Sequence, residues 1–568
     1  MNTPFRAVLA SLCITVTLTG CISYGPRIKD GQPVKGAVGK VLNLNQGWRQ
    51  REQEMFYFTT QGSQLLPYDW FLVLEQPGNT NLFRSNENME RLRWLTCRPT
   101  TRNPDGLPVG FVKDLDVETK RSYLGLTCAA CHTAQLKYGE VSLRIDGGPT
   151  MADAERFLTE LAQAMVETLG SPKRFDRFAH GVLRGEYNDA AVRRLRLELR
   201  SVREYLKRRE ERNAPHLPYG HARLDAFGNI LNEVLAHGLN IKTNARPSDA
   251  PVSYPFLWDT PQADRVQWNG VAQNNPVNAP PGLGALGRNV GEVLGVFGKV
   301  EIQPTEPPAG YRSSVKMVNL GLLERWVADL WSPKWPERFL PALDPAKVKR
   351  GEALYRRAAP NQQSCAACHE VIVRDDPARR FIVKMTPLED VGTDPAMARN
   401  FVSRMALTGP LEGTLVDIFF GTDRFGSNDL GGKILSSVGR GVVLRKPISA
   451  AIGAFEGDAP AFHAPPASPL AYKARPLNGI WATAPYLHNG SVPSLWELLK
   501  KPGDRVQSFY VGNREFDPVN VGYVTTQPDE RATPLDTSRP GNSNGGHTWG
   551  TDLPDAEKWD LIEYLKSL

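Results

Sequence analysis

Apolar positions recur with a helical period in only a few stretches of the chain, and those stretches frame everything between them. From Ala154 to Leu169 they repeat every three or four residues behind Thr150 and Asp153, either of which can cap the helix they predict. Residues 172–213 continue the pattern: Leu195, Leu199, Val202 and Leu206 share one face, and charges of both signs fill the rest. A solvated helix with intrahelical ion pairs accounts for those charges better than a docking surface. Further helices are predicted over Leu320–Leu330, over D-P-A-K-V-K-R-G-E-A-L-Y, and over the final L-P-D-A-E-K-W-D-L-I-E-Y-L-K-S-L, where Trp559, Ile562 and Leu565 share a face behind a capping Asp555. Tyr57–Glu75 is dense in aromatics and predicts core, and L-R-I-D-G-G-P-T predicts a short strand and a turn. Residues 244–312 carry many Pro, Gly, Asn and large rings without a period, including Y-P-F-L-W-D, Q-W-N-G and R-N-V-G-E-V-L-G-V-F-G. Such a stretch is either an ordered loop lining a pocket or a core-filling connection.

The N-terminus has another pattern. Arg6 precedes an apolar run of thirteen residues, Ala7–Thr19, which is too short to span a bilayer and reads as an export signal. Residues 1–20 are therefore expected to be a lipoprotein signal peptide, because L-T-G-C resembles a bacterial lipobox with Cys21 as the lipidated residue. A plain cleaved signal with an incidental Cys is the alternative. Ile22, in place of Asp, follows the outer-membrane sorting pattern, so outer-membrane lipid is the expected partner through Cys21. The expected address is periplasmic or cell-surface. Residues 21–45 are Gly- and Lys-rich, lack periodicity and read as a tether.

Composition narrows the class. A chain of 568 residues exceeds what one core usually supports, so two to four structural units are expected. An apolar content of 41% with 23% charged residues is that of an ordinary soluble protein. A net charge of +7 without a Lys/Arg block argues against nucleic acid as a partner and leaves room for a small acidic redox protein.

The chemistry is carried by a string used twice, Cys128-Ala129-Ala130-Cys131-His132 and Cys365-Ala366-Ala367-Cys368-His369. C-x-x-C-H is the attachment site of c-type haem: two thiols one helical turn apart meet the porphyrin vinyl groups, and the next His ligates the iron. A zinc or redox Cys pair is the competing reading, but zinc needs further Cys or His at ligand spacing, and no second C-x-x-C lies nearby. Two covalent haems are expected. Of seven Cys, only Cys97 is left without an assignment, so the mature chain has no structural disulfide.

Around these strings the chain resembles the bacterial di-haem cytochrome c peroxidase superfamily, and most of all its rubber-oxygenase-like branch. The likeness rests on both strings, on Q-G-S-Q-L-L-P-Y-D-W-F-L, L-R-I-D-G-G-P and A-R-L-D-A-F-G-N-I-L-N, and on R-P-L-N-G-I-W-A-T-A-P-Y-L-H-N-G-S-V-P-S-L at 475–495. Gly351 and Tyr355 stand before Cys365 as in class I cytochrome c domains. The resemblance implies a mainly α fold of two cytochrome c-like haem domains, 46–335 and 343–568, with long loop-rich insertions and few short strands. It implies an oxidoreductase in which the haem on His132 is open to O2 or H2O2, acting with an unidentified substrate, while the haem on His369 is six-coordinate. A non-catalytic electron-transfer cytochrome is the alternative.

In peroxidases similar to this chain a Met or Tyr ligand lies fourteen residues after the P-Y-x-H-x-G histidine, but here that position is Pro502, which cannot bind iron. The late His547 is preferred as the second ligand, with His488 as its rival; Met385, Met397 and Met405 rank lower. His180, His216, His221 and His237 read as surface or structural. The distal pocket of the first haem is expected among Trp258, Trp268, Leu286 and Asn289. Leu286 stands where a rubber-cleaving enzyme would set a Phe, a departure that speaks against polyisoprene as substrate.

Overall fold

A computed structural model describes residues 25–275, 282–304, 306–307, 309–358, 363–457 and 461–568. The signal peptide and Cys21 lie outside the described residues. The expected mainly α fold is not what the chain adopts: 38% is helix and 17% strand, and there is no clear pair of mainly α cytochrome domains. Among the described residues two three-stranded sheets and seven two-stranded ribbons are spread along the chain. The reason is compositional: 50 Gly and 45 Pro interrupt helices throughout, and the backbone between interruptions pairs across short extended segments instead.

One three-stranded sheet orders Val41–Asn43, Val141–Asp146 and Thr133–Tyr138. The last two form a hairpin in which Ala134, Leu136, Leu143 and Ile145 point into the core, turning at Gly139 with φ +56°. Val41–Asn43 joins in parallel, and Ile28 and Val34 before it are buried. The stretch read as a tether is thus folded onto the body from Arg27 onward, because its scattered Ile and Val residues find apolar surface to cover. Asp146 ends the hairpin as a buried acceptor for the Tyr57 hydroxyl and the Gln53 amide.

Helix Ala154–Gly170 starts on Asp153, whose carboxylate accepts the Arg156 N–H at 2.9 Å. It packs with helices Pro172–Leu183 and Asp189–Asn213 over an aromatic cluster of Phe71, Phe83, Trp94, Phe111 and Phe157. A second, larger core runs from Leu42 to Leu568 and draws on both halves of the sequence. No helix among the described residues is long and apolar enough to cross a membrane.

Helices Pro345–Arg356 and Asp555–Ser567 cross where Gly351 lets the backbones touch: a Cβ there would stand 2.0 Å from the Asp560 carbonyl oxygen. Tyr355 packs on Tyr564 with ring centroids 5.2 Å apart, and its hydroxyl donates to the His369 carbonyl at 2.5 Å, so this crossing supports the second Cys-His string. Asp555 is the first helical residue and not the cap; Pro554 holds that position. Gly351→Val is expected to destabilise the fold by about 3 kcal/mol, since rigid backbone must move aside. Thermal unfolding checks this, and an unchanged midpoint would show that the helices do not meet at Gly351.

Candidate functional site

Each C-A-A-C segment forms a single helical turn, Cys128–Cys131 and Cys365–Cys368. Thr127 caps the first by accepting the Ala129 N–H, and Ser364 caps the second by accepting the Ala367 N–H. The turn closes with the His132 N–H on the Cys128 carbonyl at 2.9 Å and the His369 N–H on the Cys365 carbonyl at 2.8 Å. Both thiols of each string therefore sit on one turn, with the His immediately after it. Among the described residues none of the four Cys is in a disulfide, and burial pushes Cys128 and Cys131 up to about 12, Cys365 up to about 11, and Cys368 upward as well. Among the described residues no group of three His, Cys, Asp or Glu converges on a bare metal ion.

The two histidines are held alike. His132 Nδ1 donates to the Pro255 carbonyl at 2.8 Å, and His369 Nδ1 donates to the Arg475 carbonyl at 2.6 Å. A carbonyl can only accept, so each Nδ1 carries the proton and each Nε2 keeps its lone pair for a metal. Burial lowers His132 to about 4 and lowers His369 as well, which keeps both imidazoles neutral. Beside the first string, the Tyr254 ring meets His132 edge-on at 6.2 Å, and the Cys128 thiol lies 3.3 Å from Gln61 Oε1.

The second string opens on a largely apolar cavity whose lining includes Cys365, His369, Trp268, Tyr472, His488 and His547. His547 faces His369 with ring centroids 6.3 Å apart. Two imidazoles on opposite sides of one metal stand about 6 Å apart by ring centre, since a metal–nitrogen bond is about 2 Å and the ring radius about 1 Å. His547 Nδ1 is also buried without a hydrogen-bond partner. The pair thus fits an iron porphyrin between them.

Local sequence explains the placement of His547. Gly546 has φ +72°, and a Cβ there would come within 2.3 Å of the Val391 carbonyl; only glycine lets this loop lie so close. The His547 N–H then donates to that same carbonyl at 2.7 Å. Arg505 donates to the carbonyls of Asn544, Gly546 and His547 and pins the loop from the other side. His488 lines the cavity too, but its ring stacks on Tyr472 at 4.0 Å, and its carbonyl accepts the Ser253 N–H.

The other candidates fall in different places. Trp258 is fully buried, stacked on Phe256 at 4.6 Å, with its indole N–H on the Asn478 carbonyl. Trp268 lies on the wall of the second cavity, its indole held by the Ser253 carbonyl. Leu286 and Asn289 both sit on helix Leu283–Gly295; Leu286 is core, and Asn289 donates to Glu324, which pairs with Arg288 at 2.8 Å. Met397 is buried in a separate apolar cluster, Met385 packs on Gly270, and Met405 is exposed. His180, His216 and His237 lie beside carboxylates, and His221 bonds Thr533. A larger cleft bordered by Tyr123, Tyr205 and Lys299 lies away from both strings.

Residues 471–510, which contain Arg475, His488 and Arg505, match the RoxA-like, cytochrome c-like family. The uncharacterized protein y4iJ of Sinorhizobium fredii is 32% identical over 595 aligned positions that cover 94% of each chain. The chain belongs to the y4iJ family. The uncharacterized protein y4iM of the same organism is 26% identical over 380 positions, covering 62% of this chain and 73% of that one. Taken with the RoxA-like segment, this y4iJ-family chain is a cytochrome c-like haem protein, and its haem is of the c type.

Sequence reasoning missed Tyr254, Arg475 and Arg505. Arg475 opens the R-P-L-N-G-I-W string, and that was its one visible signal.

Proposed function

We propose that this y4iJ-family cytochrome is an exported di-haem oxidoreductase, with one covalent haem on each Cys-His string. The first, on His132, is open to O2 or H2O2; the second, between His369 and His547, passes electrons. The observation that carries the reading is the contrast between the strings: His369 faces a second imidazole at 6.3 Å, whereas the ring beside His132 is Tyr254. An iron with two strong protein ligands transfers electrons, and one with a free position binds small molecules.

The chain's own residues prepare that difference. Pro255 and Arg475 carbonyls orient the two proximal imidazoles and raise their basicity by accepting from Nδ1. Burial pushes the Tyr254 hydroxyl up, so beside Cys131 it stays a hydrogen-bond donor at the first site. Helix Leu283–Gly295 contributes Glu292, held by the Gln267 amide at 2.7 Å, and burial pushes that carboxyl above the usual carboxylate range. In this reading residues 1–20 act as an export signal and Cys21 carries the lipid anchor, on the periplasmic or outer-membrane side.

Carbon monoxide titration of the ferrous protein tests the reading. One CO per chain is expected, bound at the haem on His132. No CO at either haem would make the protein a plain electron carrier, and two per chain would remove His547 as a ligand.

A further inference from the structure

We propose that Arg475 is a positioning residue shared by both Cys-His strings, one that ties the two proximal histidines into a single hydrogen-bonded unit. The inference rests on the di-haem reading and adds to it a named coupling between the two sites.

The unit can be followed bond by bond. The backbone carbonyl of Arg475 accepts from His369 Nδ1 at 2.6 Å. Its side chain runs the other way: Nη1 donates to the Phe256 carbonyl and Nη2 to the Trp258 carbonyl, both at 2.8 Å. The guanidinium carbon also lies 3.7 Å from the centre of the Phe256 ring. The residue before Phe256 is Pro255, whose carbonyl accepts from His132 Nδ1 at 2.8 Å. One peptide unit thus separates the carbonyl that orients the first proximal imidazole from the carbonyl that Arg475 holds. The same arginine orients the second.

Chemistry explains why an arginine is needed. The loop Tyr254–Trp258 presents the Phe256 and Trp258 carbonyls to Arg475, and a donor with a planar fork can take both at once. Lysine offers a single point charge and cannot span both. Arg475 is buried and, among the described residues, has no carboxylate in salt-bridge contact; Asp259, the acid that acts on it, is paired with Arg379 at 2.7 Å. A buried charge without an ion pair is poor value as a stabilising device, and an apolar residue would fill the space at less expense. What the guanidinium adds is position: it fixes the loop that carries the His132 acceptor to the strand end that carries the His369 acceptor.

The consequence is reciprocal. Were haem iron held on both histidines, a shift of one proximal imidazole would pull on its carbonyl acceptor and would be passed through Arg475 to the acceptor of the other. Substitution of Arg475 is therefore felt at both haems, although the residue belongs in sequence to the second.

The test uses the full-length holoprotein carrying Arg475→Lys or Arg475→Gln. Covalent haem is counted first by pyridine haemochrome; a wild-type chain without two haems defeats the di-haem reading itself, which is a different failure from that of the coupling. With two haems in place, each midpoint potential is read by its own absorbance change, and the iron–histidine stretch of the His132 haem by resonance Raman. Both potentials are expected to move and the stretch to shift. A change confined to the His369 haem, or no change at either, overturns the proposal. If neither variant folds, the wild type decides: CO on the first haem should shift the potential of the second, and the absence of any shift overturns the proposal.

Discussion

Replacing Cys365 and Cys368 together with Ala is expected to remove half of the covalent haem from the chain and leave the other half attached. Each pair of thiols occupies one helical turn with its own cap and its own His, so each string is a complete attachment site that does not borrow a ligand from the other. Cys128→Ala with Cys131→Ala should remove the other half, and all four changes should leave none. The loss also leaves a cavity walled by Trp268, Tyr472 and Leu561, with no side chain able to fill it. A stability loss of several kcal/mol, about 3 to 5, is expected from the lost packing. Intact mass of the mature protein, with a haem stain after denaturing electrophoresis, reads both the number of haems and the N-terminus: residues 1–20 absent and Cys21 lipidated. A wild-type chain that holds only one porphyrin, or none after denaturation, would end the di-haem reading.

Local signals were legible, and long-range ones were not. Asp153 with helix Ala154–Gly170, and each Cys pair on its single turn, depend on spacings within one or two turns, and the structure has them where the spacing puts them; the crossing at Gly351 joins helices distant in the chain and is expected only from the resemblance to cytochrome c domains. The mainly α expectation failed because the ribbons are two to five residues a strand, and some of them pair segments far apart. Lys384–Pro387 lies against Ala471–Ala474, and Ser508–Val511 against Thr533–Asp536. Neither half of such a pair shows a strand pattern long enough to stand out from its Pro and Gly neighbours. Val41–Asn43 is the extreme case, three residues whose partner lies in Val141–Asp146.

The same limit governed the site. Trp268 is expected over the first haem from its place in an aromatic loop; its carbonyl accepts the Lys473 N–H and its indole donates to the Ser253 carbonyl, which hold it on the wall of the second cavity. Arg475 and Arg505 act through backbone carbonyls of distant loops, and a carbonyl leaves no trace in the identity of the residue that bears it.

Changing His547 to Ala is expected to convert the haem on His369 from low to high spin and to raise CO binding from one to two per chain, while His488→Ala leaves both unchanged. The two histidines border the same cavity, so proximity alone does not separate them. Their surroundings do. His488 is engaged by its stack on Tyr472, and turning its ring toward iron would break that contact and disturb the carbonyl that holds Ser253. His547 has a buried Nδ1 without a partner, a ring facing His369, and a backbone fixed on one side by the Val391 carbonyl and on the other by Arg505. A ligand held that firmly needs no rearrangement to reach a metal, so little ordering entropy opposes the bond. The visible and near-infrared spectra of the ferric variants read the change directly. A low-spin spectrum that survives His547→Ala and is lost in His488→Ala would move the ligand to the P-Y-L-H-N-G segment and leave the Gly545-Gly546 loop as packing alone.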